Sequence, residues 1–235
     1  MRTVAVIPCF NEEQTIAGIV AIAARYVDMV VVADDGSTDE TSDAAYGAGA
    51  VVVRGASRQG FGRNVALGLQ TALSRDSFSI VVTLDGDGQH DPSEIPLVVK
   101  PIIEDRADLV IGSRFMGEYN VPRYRKFGID VITWLYNIGV EQKILDAQSC
   151  LRAYKRELLE DVACVEEGFG FSTEILIKAR TKGYRILETP IRCIYHNDFK
   201  MNSSMNPISH GVGVALCTAK WRLRLRNSNV LRLPS

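Results

Sequence analysis

Five short apolar runs, at residues 4–7, 29–33, 50–53, 80–84 and 109–112, recur along the first half of the chain with helical patterns between them. A run of four or five apolar residues bounded by turn formers suits a strand buried on both faces. Such strands alternating with helices belong to an α/β fold around a mainly parallel sheet. Pro8 ends the first run, and a helix over 13–26 follows with Ile16, Ile19, Val20 and Ala23 on one face. Thr38 is placed to cap the next helix, residues 62–74 form another, and Pro92 suits the first turn of a fourth. The second half is less regular. It predicts a helix over 127–144 carrying Ile132, Leu135, Tyr136 and Ile138, a strand-like stretch over 148–154, a helix over 172–182 and an extended stretch over 184–195. Ile208, Val212, Leu216, Ala219 and Leu223 recur at spacings of three and four, which marks a final amphipathic helix. The expected organisation is one catalytic domain over 1–200 and a basic amphipathic C-terminal extension over 201–235.

Composition narrows the class. With 235 residues, 46% of them hydrophobic and 23% charged, the chain can bury a full core, which excludes global disorder. A net charge of −1 gives no field that selects nucleic acid, and none is expected as a partner. Five cysteines form an odd count with no CxxC pair, so reduced thiols fit better than a disulfide framework or a zinc site. No apolar run approaches the ~18–20 residues of a membrane span, and no charged-then-apolar leader opens the chain. After Asp198 only basic charges remain, at Lys200, Lys220, Arg222, Arg224, Arg226 and Arg232. A one-signed end suits an anionic membrane or an acidic partner, and equally a solvated helix face.

Ligands of open α/β sheets bind outside the carboxyl ends of the strands, and polar clusters follow the first, second, fourth and fifth runs. Asp85-Gly86-Asp87 lets two carboxylates converge on one hard cation, Mg²⁺ or Mn²⁺, bridging protein oxygens to substrate phosphates. Gln89 and His90 stand close enough to add a ligand or a supporting contact. In Pro8-Cys9-Phe10-Asn11-Glu12, the aromatic and the carboxylate suit a nucleobase and its ribose, while Asn11 also suits a helix cap. The acidic turn from Asp34-Asp35-Gly36 to Asp39 carries the same double meaning, since turns favour Asp, Gly and Ser. Gly60-Phe61-Gly62 has Val65 where a dinucleotide-binding loop has its third glycine, and it does not follow the first strand. The loop is therefore a poor match to a nicotinamide-cofactor site.

These segments, with Ser113-Arg114-Phe115 and Asp146-Ala147-Gln148-Ser149-Cys150-Leu151-Arg152-Ala153-Tyr154, resemble the family 2 inverting glycosyltransferases. Within them the chain is most similar to the dolichyl- or polyprenyl-phosphate sugar synthases, over residues 3–213. The resemblance implies a GT-A fold, a GDP- or UDP-sugar donor, a divalent Mg²⁺ or Mn²⁺, and inversion at the anomeric carbon. It places Pro8, Phe10, Glu12, Asp35, Gly86 and Gln89 at the donor, and Asp85, Asp87 and Gln89 at the metal. Arg114 and Asp146 would sit at the reaction centre and Arg123 and Arg125 at the acceptor phosphate. The chain departs from the family in having Cys150-Leu151 where Gly-Phe is usual, which reshapes the pocket beside Asp146.

Three other functions compete. Transfer to a sugar hydroxyl would need Asp146 as a general base. The cluster of Arg114, Arg123, Arg125 and Lys126 favours a phosphate acceptor, whose second pKa near ~6 leaves it ionised at neutral pH. A sugar-nucleotide pyrophosphorylase should carry a glycine- and arginine-rich loop where Cys9-Phe10-Asn11-Glu12 stands. The retained carboxylates argue against a non-catalytic nucleotide-binding regulator. A lipid acceptor implies a cytoplasmic protein docked peripherally on the inner face of the cell membrane. Docking would use residues 208–233, with Trp221 at the headgroup level.

Overall fold

The computed structural model describes residues 1–75, 77–116, 123–192 and 207–230, with backbone alone for 123–125, 207–210 and 225–230. Seven strands form one sheet in the order β3-β2-β1-β4-β6-β5-β7. They are β1 (Thr3–Cys9), β2 (Met29–Asp34), β3 (Val51–Arg54), β4 (Ile80–Thr83), β5 (Leu109–Ser113), β6 (Arg152–Lys155) and β7 (Ile186–Pro190). All neighbours run parallel except β6, which is antiparallel to both β4 and β5. The expected mainly parallel sheet is thus present. The reversal of β6 has a consequence for function, because the start of this strand lies at the edge where its neighbours end.

Alternation along β1 explains the two layers. Val4 and Val6 face a core shared with α3 (Phe61–Leu73), α5 (Arg123–Asn137) and α7 (Phe171–Thr181). Ala5 and Ile7 face the opposite core, shared with α1 (Ile16–Ala23) and α4 (Ile95–Ile103). Both faces are covered, so the central strands read as continuous apolar runs rather than alternating ones. Short α2 (Thr41–Gly47) and α6 (Arg156–Asp161) and a 3₁₀ turn at Pro92–Glu94 complete the body. The last helix, α8 (Pro207–Val230), packs on α5 and α7.

Several sequence expectations shift. Pro8 does not end β1, since the strand continues to Cys9 and pairs with β2 through Cys9↔Asp34. The Val6 carbonyl accepts from the Leu84 amide on the β4 side, and the Cys9 carbonyl from the Asp35 amide on the β2 side. Alternation therefore points Pro8 towards β4, where pairing has already ended at Val6↔Thr83, and its missing N–H costs no ladder bond. Thr38 caps nothing: α2 starts later, and the Asp39 carboxylate accepts from the Thr41 amide at 3.1 Å. The helix expected over 127–144 spans Arg123–Asn137, because Gly139 turns the chain with φ 64°. The Asn137 side chain then bonds both backbone groups of Ile144, at 2.8 and 3.0 Å. The extended stretch is ordered strand over Ile186–Pro190, while residues 193–206, with Cys193 and Tyr195, and 231–235 lie outside the described residues.

The apolar stripe read on α8 lies on its exposed side, but Trp221 does not belong to it. Val214, Thr218 and Trp221 turn inward, whereas Val212, Leu216 and Leu223 are exposed. Trp221 is buried and donates to Glu166 at 2.7 Å, so it is not at the surface as a headgroup anchor. Threonine at position 218 hides the true inward face from a hydrophobic pattern. Its hydroxyl meets that of Thr173 at 3.0 Å and donates to the Val214 carbonyl at 2.8 Å. No helix among the described residues is long and apolar enough to cross a membrane.

Candidate functional site

The carboxyl ends of β1, β2, β4 and β5 and the start of β6 bring the polar clusters to one edge of the sheet. Two loops there are laced together. Asn11 adopts a left-handed φ of 57°, receives the Thr38 amide on its side chain at 2.9 Å, and donates its own amide to Ser37 at 2.9 Å. It joins two loops rather than capping a helix. The Glu12 amide donates to the Thr41 hydroxyl at 2.7 Å. Behind them, the buried Asn64 amide donates to the carbonyls of Ala33 at 2.8 Å and Cys9 at 3.3 Å, fixing the ends of β1 and β2.

Asp34 and Asp35 divide the labour of the acidic turn. Asp34 is buried and accepts from the amide and hydroxyl of Ser37, and from Ser42. Asp35 accepts from the amides of Gln59 at 2.7 Å and Gly60 at 2.9 Å, which holds the glycine loop against the site. A carboxylate has about four lone-pair sites, so Asp35 retains capacity for a ligand N–H or O–H. Arg58 from that loop lies over the Phe10 ring, 4.1 Å from its centroid.

The β4 turn is anchored by Thr15, whose hydroxyl donates to the Gly86 carbonyl at 2.6 Å. A Cβ on Gly86 would lie 2.5 Å from Cys9 Sγ, so the central position of the turn admits only glycine without rearrangement. On either side stand Asp85 and Asp87, with Glu12 close by. Burial, then the charges of Asp87 and Asp85, push the Glu12 carboxyl up to about 7. Burial, then Asp87, push Asp85 up to about 7 as well. Gln89 donates to Asp87 through its backbone at 2.9 Å and its side chain at 2.5 Å.

Two further groups flank Asp85. The Cys150 thiol hydrogen-bonds its carboxylate, and His90 Nδ1 approaches to 3.6 Å. His90 is buried, neither ring nitrogen has a hydrogen-bond partner, and burial together with Arg114 pushes its pKa down to about 3. It is a neutral imidazole there. Cys150 is the residue that departs from the family's usual glycine, so the departure touches the carboxylate turn itself.

Arg114 and Asp146, 32 residues apart, form a buried bidentate pair with Nε–Oδ2 at 2.7 Å and Nη2–Oδ1 at 2.8 Å. Burial alone would raise the Asp146 carboxyl, but the Arg114 guanidinium and the amides of Arg114 and Gln148 hold it below the usual range. Glu188 accepts the amides of Leu145 at 2.7 Å and Asp146 at 2.9 Å, which fixes the loop bearing Asp146. Buried Arg152 donates to the carbonyls of Ala147, Ser149 and Ser172, each at 2.8 Å, and sets the same loop from below. The side chains of Arg123 and Arg125, expected at an acceptor phosphate, lie outside the described residues.

The residues present suit a divalent cation. Three carboxylates crowd one turn with two of them held up to about 7, a repulsion that a cation relieves. Among the described residues no three His, Cys, Asp or Glu side chains form a preformed cage. The arrangement therefore fits a cation completed by substrate oxygens, as hard metals at phosphates commonly are. Sequence reasoning singled out Asp85, Asp87 and Asp146 but passed over Asn64 and the roles of Glu188 and Arg152 in holding the Asp146 loop. Asn64 carried a signal: it shares the inward face of α3 with Val65, Gly68, Leu69 and Ala72, where a polar side chain must find a backbone partner.

The family model described as glycosyl transferase family 2 matches residues 4–163. A dolichyl-phosphate hexose transferase of Haloferax volcanii is 30% identical, covering 92% of each chain. A UDP-N-acetylglucosamine–dolichyl-phosphate N-acetylglucosaminyltransferase of Methanococcus voltae is 30% identical over 81% of this chain and 84% of that one. Among solved structures, glucosyl-3-phosphoglycerate synthase from Mycobacterium tuberculosis with Mn²⁺ and UDP-glucose superposes with a TM-score of 0.73. It is 23% identical and is covered over 95% of this chain and 78% of that one. The architecture is accordingly the GT-A fold. With the family model spanning more than half of the sequence and the carboxylate turn at the sheet edge, this chain belongs to glycosyl transferase family 2.

Proposed function

We propose that the protein transfers a hexose from a GDP- or UDP-sugar to a polyprenyl phosphate, with inversion at the anomeric carbon. The observation that carries this reading is the state of Asp146. Its carboxylate is buried against Arg114 and held low, so it is a poor general base. A sugar hydroxyl would need such a base, whereas a lipid monophosphate arrives largely ionised. The names of the Haloferax and Methanococcus relatives, both acting on dolichyl phosphate, point the same way.

In this reading Pro8, Phe10, Glu12 and Asp35 receive the nucleoside, and Gly86 lets the turn approach the diphosphate closely. Asp85, Asp87 and Gln89 would hold Mg²⁺ or Mn²⁺, which would supply positive charge against the leaving nucleoside diphosphate. Gln89 would release its side-chain bond to Asp87 to serve as a ligand. The acceptor phosphate oxygen forms a bond to the anomeric carbon while the carbon–oxygen bond to the diphosphate breaks on the opposite face. Arg114 and Asp146 shape the floor beneath that carbon, and Arg123 and Arg125 clamp the acceptor by bidentate hydrogen bonds. We take residues 1–200 as the catalytic unit and 201–235 as its extension, working at the inner face of the cell membrane.

Arg123→Ala and Arg125→Ala test the acceptor half. Each variant should raise the KM for polyprenyl phosphate and leave the KM for the donor nearly unchanged. An unaltered acceptor KM in both removes the phosphate clamp.

A further inference from the structure

The outward face of α5 carries Phe127, Val131 and Trp134, and Ile138 in the turn just after it continues the row, at spacings of four, three and four, all exposed, with Phe127 at 71% and Trp134 at 64%. Nothing in the proposed chemistry uses this row, and large contiguous apolar surface on a soluble domain marks an interaction site. Its surroundings suggest what covers it. The helix has three basic residues and one acid, Asp130, which Lys126 neutralises at 2.7 Å. Neighbouring α8 has four basic residues and no acid, though Lys220 pairs with Glu166 at 2.8 Å. The two helices meet where Arg222 donates to the Ile138 carbonyl, which places exposed Leu223 beside the end of the row. An apolar stripe with an indole, flanked by basic charge, is the composition that settles into the headgroup boundary of an anionic bilayer.

Position strengthens the argument. The inner side of α5 holds the loop of Asp146, since Thr133 accepts the Ala147 amide at 3.2 Å. Between α5 and that loop lies a groove of about 230 Å³, with exposed Trp134 and Leu145 at its rim and buried Thr133 and Ile144 inside. A membrane lying on the row would stand within about one helix diameter, ~10 Å, of the loop bearing Asp146. We infer that α5, with the exposed edge of α8 beside it, is a docking surface for an anionic lipid bilayer that delivers a membrane-embedded acceptor to the site. The direction of delivery rests on the polyprenyl-phosphate reading; the docking itself does not.

The intact protein provides its own probe, having two tryptophans, of which Trp221 is 4% exposed. Vesicles of phosphatidylcholine with phosphatidylglycerol should bind the protein at low salt and shift its emission to the blue, and phosphatidylcholine alone should bind it less. Trp134→Phe should abolish most of the shift while leaving vesicle binding close to normal. Phe127→Ser and Trp134→Ser should each weaken partition by roughly tenfold, as expected for an aromatic withdrawn from the interface. Both positions are solvent-exposed, and both variants should keep wild-type transfer to a short, water-soluble polyprenyl phosphate. Undiminished vesicle binding by the serine variants would overturn the assignment. So would an intact protein that ignores anionic vesicles, whether it sediments as a monomer or as a dimer that Trp134→Ser dissociates; the dimer would identify a second copy as the occupant. Absence of transfer to any polyprenyl phosphate, with vesicle binding intact, would sink the acceptor reading and leave the docking surface standing.

Discussion

If the turn binds a cation as proposed, the crowding of Glu12, Asp85 and Asp87 should make that binding release protons, and pH is the perturbation that exposes it. Two of these carboxyls are pushed up to about 7, far above the ordinary carboxylate range, because burial and neighbouring carboxylates disfavour their charged forms. Below that midpoint each must lose a proton before the cation can be held or its charge balanced. Affinity should then fall about tenfold per pH unit below about 7 if one proton is released, and about a hundredfold if both are. Calorimetric titration of Mn²⁺ in the presence of UDP, repeated in buffers of different ionisation enthalpy, reads both the affinity and the proton count. Glu12→Gln removes one of the two groups and one charge facing Asp85, so the count should drop towards one or below. An affinity flat from about pH 6 to about pH 8, with no protons released, would show that the carboxylates are already ionised and the crowding argument wrong. Stability carries the same signature. The folded state binds these protons more tightly than the unfolded chain, so the metal-free protein loses stability through this pair as pH rises from about 4 to about 7. His90, pushed down to about 3, acts with the opposite sign below about 6.5, since the unfolded chain takes up its proton first. Comparing metal-free with Mn²⁺-loaded protein at each pH separates the two.

Other substitutions test the frame around the site. Asp146→Asn leaves the Arg114 charge buried without its partner and should cost about 3–5 kcal/mol in urea unfolding, whereas changing both residues to apolar ones should recover much of that loss. Stability unchanged within about 1 kcal/mol in the single variant would mean that the pair is solvated. Gly86→Ala should abolish turnover while the far-ultraviolet spectrum stays native, because the added methyl meets Cys9 Sγ on the floor of the turn; near-normal turnover would show that the turn yields. Asn64→Ala strands the Cys9 and Ala33 carbonyls and should destabilise by about 1–3 kcal/mol, which chemical denaturation measures directly.

What the sequence disclosed follows from periodicity. Strands buried on both faces announce themselves as unbroken apolar runs, so β1, β2, β4 and β5, and with them the edge bearing Asp85 and Asp87, are legible in the order of residues alone. Pro8 misled because a proline's cost depends on which neighbour its missing N–H faces, which only the register reveals. On α8, periodicity marks the exposed apolar stripe but not the face that packs on the domain. Trp221 and Thr218, one amphipathic and one polar, form the buried face, while the stripe faces out. The Asp146 pair is half legible: each partner stands in a recognisable segment, but their bidentate contact across 32 residues, which changes Asp146 from candidate base to fixed anion, is tertiary information. The roles of Glu188 and Arg152 are silent for the same reason, because they act on backbone groups of a loop that no spacing rule connects to them.

The central claim is that sugar moves from a nucleotide diphosphate to a lipid phosphate with inverted configuration. It is tested most directly by incubating the protein with labelled GDP- and UDP-hexoses, Mn²⁺ or Mg²⁺, and a polyprenyl phosphate, then following the label into the organic phase. The account predicts that one donor class yields a labelled polyprenyl-phosphate sugar whose anomeric configuration, read by NMR, is opposite to that of the donor. It also predicts that EDTA or Asp87→Asn abolishes the transfer. Label that stays in the aqueous phase with every donor, or a product that retains the donor's configuration, would contradict it.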